Sequence, residues 1–441
     1  MEKLEYKQIH EVLYREVLPN GLKVFLLPKA GYHKTYGLFS TNYGSIDNKF
    51  GYEGESLDQV PDGIAHFLEH KLFEKEEGDI FQTFSKFGAS ANAFTSFTRT
   101  SYLFSTSDYV FESLATLLDF VQEPYFTKET VEKEKGIIGQ EIQMYNDDAG
   151  WRQFFGILGN MYPNHPLHVD IAGSIESIAE ITAEDLYHCY QTFYHPSNMT
   201  LFIVGDFDPL QMITFIKENQ AKKSFPAHRK IVRYFPEQTY EEVQPFATIQ
   251  LPVTRKKAVL GVKGLEQNLP VDARERVVFR TAIQLLLQLL VGSTSKAYLD
   301  LYNRGILDDT FGFEFTMDRG FHLADFSTDT DQPTAFCEAM TALLLGFEEN
   351  DDLNEENLVL VKKKMLGKYF QSLNSLEYIA NQFTQELYED VTLFDLPEVI
   401  QAIQLKDIFA AGKVFLKPKA FSRFYVEPLD KNGHESSSKI V

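Results

Sequence analysis

Residues 62–70 read Asp62-Gly63-Ile64-Ala65-His66-Phe67-Leu68-Glu69-His70. On a helix, His66 and His70 stand four residues apart and project from one face. Two imidazole nitrogens can then share one Zn2+, with Glu69 beside them as a carboxylate base. Ile64, Ala65, Phe67, Leu68 and Leu72 make this helix unusually apolar. Its three polar groups therefore need buried partners, which a metal supplies. The bland alternative is an exposed face that happens to carry two His and one Glu, and it fits those neighbours poorly.

Two histidines need a third protein ligand, leaving one position for water. The stretch Glu132-Lys133-Glu134-Lys135-Gly136-Ile137-Ile138-Gly139-Gln140-Glu141 offers it. Glu134 and Glu141 are two helical turns apart and face the same way. Glu141, near Ile142 and Met144, is the better ligand, and Glu134 then orients a His ring or holds the local charge. Without the upstream histidines, the stretch would read as a solvated charged helix, as Glu132, Lys133 and Lys135 do. The order His-x-x-Glu-His reverses the zinc-peptidase signature His-Glu-x-x-His and is mechanically equivalent to it, the inverzincin arrangement.

A chain of 441 residues has room for two or three domains. Its net charge of −21 argues against nucleic acid and anionic membrane as partners. The charged N-terminal stretch lacks the apolar core of a signal peptide, and the most apolar run, Leu285 to Val291, is too short to span a membrane. Cys189 and Cys337 are the two cysteines, and they read as buried free thiols rather than a disulfide. A cytoplasmic location is expected.

The hydrophobic pattern repeats along the chain. Leu18-Pro19-Asn20-Gly21-Leu22 carries an Asn-Gly hairpin signal before the buried strand Val24 to Leu27. Further strands are expected over 35–43, 92–106 and 199–205, and helices over 81–88, 112–121, 128–145 and 182–194. The helix closed by Gly88 and its following strand recur at Gly305, 217 residues on, and the stretch from Ile181 recurs at Ile403, 222 residues on. This spacing predicts two homologous α+β domains, each a mostly antiparallel sheet packed against helices. The expected spans are 1–225 for the metal-binding domain, 226–245 for a linker, 246–430 for the second domain and 431–441 for a disordered tail. The counterpart of the metal helix, Ala282 to Leu287, contains no His, so one zinc per chain is expected. His165, His168, His188 and His195 are expected to be ordinary hydrogen-bonded histidines rather than ligands.

These motifs resemble the pitrilysin family of zinc metallopeptidases, most closely its bacterial half-size, YmfH-like members. The resemblance runs from Leu18-Pro19-Asn20-Gly21-Leu22 through the His66 motif, Gly88-Ala89-Ser90-Ala91-Asn92-Ala93 and the paired glutamates to Tyr194-His195-Pro196-Ser197-Asn198-Met199. It implies zinc on His66, His70 and Glu141, Glu69 as general base and Glu134 as a supporting catalytic-site residue. It also implies that Asn92 and Ala93 lie on an edge strand that pairs with extended peptide, and that the fold is half of a clamshell. Main-chain pairing would hold peptide with little sequence dependence.

In one place the chain departs from that family. Active members usually present an Arg and a Tyr, seven apart, from the second domain of the opposing half. In this chain Tyr302 and Asp308 occupy those places, with one residue fewer between them, and Arg304 would serve only by shifting along its helix. A heterodimer with a second half-size homologue carrying that pair is therefore expected, with a homodimer as the alternative. The resulting expectation is a zinc endopeptidase acting on short or unfolded peptides. The rival readings are a non-catalytic subunit or scaffold and a structural zinc protein. An intact ligand set opposes the former, while three ligands and a base-like Glu69 oppose the latter.

Overall fold

The computed structural model describes residues 1–385 and 391–429; the expected tail over 431–441 lies outside the described residues. The first sheet contains β1 (Glu2–Tyr6), β2 (Glu11–Val17), β3 (Lys23–Pro28), β4 (Thr35–Thr41), β5 (Ser90–Thr95), β6 (Thr100–Thr106) and β7 (Met199–Gly205). The order across it is β1-β2-β3-β7-β4-β6-β5. The second sheet contains β8 (Phe246–Leu251), β9 (Lys257–Lys263), β10 (Gly312–Asp318), β11 (Phe321–Asp329) and β12 (Phe421–Pro428), in the order β8-β12-β9-β11-β10.

The run β3-β7-β4-β6-β5 and the whole second sheet have the same topology. In each, the chain's first strand pairs parallel with its last, and every other pairing is antiparallel. The α+β duplication expected from the sequence is thus present. The Asn-Gly hairpin forms where the sequence places it: Gly21 takes φ +90°, a conformation cheap only for glycine, and Asn20 Oδ1 accepts from the Leu22 N–H at 3.2 Å.

The compact units are not the consecutive spans 1–225 and 246–430. Among the described residues, those within 1–142, 170–234 and 369–396 form one unit, and those within 143–169, 235–368 and 397–429 the other. The exchange has identifiable contacts. Helix Ala149–Met161 lies on the second sheet, where Gly156 leaves room for the Phe424 ring and Asn160 Nδ2 donates to the Arg423 carbonyl at 3.0 Å. Helix Leu376–Gln385 lies on the first, with the Phe383 ring 4.9 Å from Phe25 and 4.6 Å from Phe202. The expected linker is divided as well. Ile231–Arg233 pairs as a strand with residues 50–52 of the first unit, whereas Phe235 stacks on His165 of the second.

The metal helix, α1 (Ile64–Leu72), is buried on nearly every residue. It starts at Gly63, which has φ +85° and whose Cβ position lies 2.4 Å from the Ala172 carbonyl oxygen. Gly63→Ala combines left-handed strain with a backbone clash, and should lower the unfolding free energy by about 2–4 kcal/mol. A denaturation midpoint unchanged from that of the wild type would contradict this.

Among the described residues, no single helix is long and apolar enough to cross a membrane; one bent pair, Ala273–Val291 with Lys296–Asn303, reaches that length and composition together. Most of the first of these helices is buried within the second unit. Both cysteines are free and buried, and burial pushes each thiol up to about 12.

Candidate metal centre

Helix α1 carries His66, Glu69 and His70, and α2 (Lys128–Asp147) brings Glu134 and Glu141 against the two histidines. His66 Nε2 lies 3.6 Å from Glu141 Oε1, and His70 Nε2 lies 3.5 Å from Glu141 Oε2. One ligating atom from each of the three residues falls within 4.8 Å of the others. The two imidazole rings meet edge to face with centroids 4.5 Å apart. Two imidazoles and one carboxylate closing on one point are a donor set for zinc that leaves a position free, so these residues fit the ion that the sequence implies.

Glu134 does something different from Glu141. Its Oε1 is 3.1 Å from His70 Nδ1, the ring nitrogen turned away from Glu141. A proton on Nδ1 donated to Glu134 leaves the Nε2 lone pair free for a metal, so the carboxylate fixes the tautomer as well as the ring angle. Burial would lower the His70 imidazole, but the Glu134 hydrogen bond and the charges of Glu69 and Glu141 outweigh it and raise it. His66 Nδ1 is buried and finds no partner among the described residues.

Glu69 is 8% exposed. Burial pushes its carboxyl above the usual range, against the opposing pull of His66, of a hydrogen bond from Thr95 and of His70. That hydrogen bond, Thr95 Oγ1 to Glu69 Oε2 at 2.6 Å, was not anticipated from sequence. Strand alternation puts Thr95 on the same face as Ala93 but does not say what that face meets.

Asn92 and Ala93 lie on β5, at the edge of the first sheet, where among the described residues the strand pairs with β6 alone. The Ala93 N–H donates to Asn92 Oδ1 at 2.9 Å. The four histidines set aside from the sequence, His165, His168, His188 and His195, lie against other groups. His165 Nδ1 accepts from the Leu167 N–H, His168 Nδ1 donates to the His165 carbonyl, and His188 Nε2 is 3.3 Å from Asp58. His195 takes the Ser197 N–H on Nδ1 and donates from Nε2 to the Pro226 carbonyl.

In the second unit, the charge of Asp308 is met by Arg255 at 2.8 Å, and the carboxylate also accepts from Thr310. Burial opposes ionisation of Asp308, yet Thr310 and Arg255 hold it below the usual range. Arg304 pairs with Asp300 at 2.8 Å on an exposed helix surface.

Comparison with known proteins places this arrangement. Residues 56–173 match the domain described as Insulinase (Peptidase family M16), and residues 180–365 match the Peptidase M16 inactive domain. The uncharacterized zinc protease YmfH of Bacillus subtilis (strain 168) is 48% identical over 92% of this chain and 95% of its own length. The chain belongs to peptidase family M16. The crystal structure of an M16-like peptidase from Alicyclobacillus acidocaldarius superposes with a TM-score of 0.90 at 36% identity, covering 95% of this chain and 99% of that one. The periplasmic protease PqqL from Escherichia coli shares the fold, with a TM-score of 0.69 at 20% identity. This M16 chain spans 48% of PqqL, with 97% of its own length covered. The segment 282–287, which carries no metal-binding side chain, falls inside the match to the inactive domain.

Proposed function

We propose that this M16 chain is a zinc endopeptidase that cleaves short or unfolded peptides. The observation that carries the reading is the closure of His66 Nε2, His70 Nε2 and the Glu141 carboxylate on one point, with Glu69 buried beside them and outside the ligand set. Zinc held there would supply Lewis acidity, polarising the scissile carbonyl and acidifying water. His66, His70 and Glu141 would hold the ion, and Glu134, facing Nδ1 of His70, favours the neutral tautomer whose Nε2 is the ligating nitrogen. Glu69 takes the proton from the attacking water on a carboxylate oxygen and returns it to the leaving amine nitrogen. Strand β5 holds the peptide extended through main-chain hydrogen bonds at Asn92 and Ala93, which favours flexible substrates over folded ones.

We further propose that the chain works in the cytoplasm, paired with a second half-size homologue. Neither Tyr302 nor Asp308 offers a free guanidinium, and Asp308 is committed to Arg255. The homodimer alternative rests on Arg304. Its pairing with Asp300 is exposed and therefore weak, so it leaves that side chain able to move. The test is a quenched-peptide mixture incubated with purified, zinc-assayed protein, with and without the homologue. About one zinc per chain and chelator-sensitive cleavage appearing on addition of the homologue are expected. A zinc-loaded pair that cleaves nothing would favour a non-catalytic subunit. Full activity of this chain alone, unchanged by Arg304→Ala, would remove the reason for a partner.

A further inference from the structure

Glu69 acts from a helix, but what holds its carboxylate comes from the sheet. Its Oε2 is 2.6 Å from Thr95 Oγ1, on the edge strand β5. An ionised carboxylate only accepts hydrogen bonds, so in the form that serves as base the hydroxyl must be the donor. Thr95 has one proton to give, and its hydroxyl lies near two side-chain acceptors, the Glu69 carboxylate and the Thr100 hydroxyl oxygen. Thr100 stands directly opposite on β6 and donates its own proton to the Tyr43 carbonyl at 2.9 Å. The Thr95–Thr100 oxygen separation is 3.5 Å, far longer than the contact to Glu69. The short, charge-assisted bond takes the proton.

We propose that Thr95 is the positioning residue for the base. Its hydroxyl clamps Glu69 Oε2, fixes the rotation of the carboxylate and leaves Oε1 as the oxygen that receives the proton. The inference rests on the reading of Glu69 as general base. It adds that the base is aimed from the same strand that carries Asn92 and Ala93. Substrate pairing and base orientation then depend on one rigid element, which is how a site keeps tolerances of a fraction of an ångström.

The competing explanation is ordinary strand packing, in which a β-branched side chain fills space and the hydroxyl is incidental. Two substitutions separate them because each keeps what the other removes. Thr95→Val preserves shape and strand preference without the hydroxyl; Thr95→Ser preserves the hydroxyl without the methyl. Positioning predicts that Thr95→Val keeps zinc content, melting temperature and KM but loses kcat by roughly 10- to 100-fold, the scale of one hydrogen bond to a charged group. Thr95→Ser should stay within about threefold of wild type on the same measurements.

A second readout needs no turnover. In a crystal structure of the Thr95→Val full chain, the Glu69 carboxylate should be rotated from its wild-type position, and in Thr95→Ser it should not. Wild-type kcat in Thr95→Val, equal losses in both variants, or an unmoved carboxylate in Thr95→Val would overturn the proposal. If wild-type protein cleaves no peptide with any partner, the peptidase reading fails by itself, and the carboxylate position still decides the role of Thr95.

Discussion

Glu69→Gln is expected to retain zinc and to lose peptide cleavage by roughly 10²- to 10⁴-fold, the usual contribution of a general base. The amide has the shape of the carboxylate, and its oxygen can still accept from Thr95, so α1 and its packing should be undisturbed. What disappears is the lone pair able to take a proton from water. Zinc should stay, because the group that closes on one point is His66, His70 and Glu141, without Glu69. Metal analysis and kcat measured on one preparation check both halves. Activity within tenfold of wild type in zinc-loaded Glu69→Gln would remove Glu69 from the mechanism.

The two glutamates of α2 should separate in metal affinity. Glu134→Gln leaves all three ligands present but weakens the acceptor that fixes the His70 tautomer at 3.1 Å. Losing such a partner commonly costs 10- to 100-fold in metal affinity. Glu141→Gln removes an anionic ligand that faces both Nε2 atoms, so its loss should exceed that range. Competition titration against a chelator ranks the two variants. A larger loss in Glu134→Gln would exchange the roles assigned to them.

Part of this centre is visible in the sequence because helical spacing shows which side chains share a face. A separation of four positions for the histidines and seven for the glutamates specifies which side chains share a face, whatever the helices pack against. The duplicated topology is legible for the same reason, since matching turns and patterns recur at similar intervals, 217 and 222 residues. The exchanged helices were not. An amphipathic pattern says that residues 149–161 and 376–385 have an apolar face, but not which sheet it covers, and here each covers the sheet built mainly by the other half of the chain. The neutralisation of Asp308 by Arg255, 53 residues away, was equally beyond local pattern. So was the Thr95 contact with Glu69. It depends on how a strand edge passes a helix, and neither element's periodicity encodes that.

Anomalous diffraction at the zinc edge from crystals of the full chain grown with zinc tests the central assignment most directly. The account predicts one peak per chain at about 2.0–2.2 Å from His66 Nε2, His70 Nε2 and an oxygen of Glu141, with Glu69 unbound and Glu134 on His70 Nδ1. A peak ligated by Glu134 or Glu69 in place of Glu141, or no peak at this site in zinc-replete crystals, would contradict it.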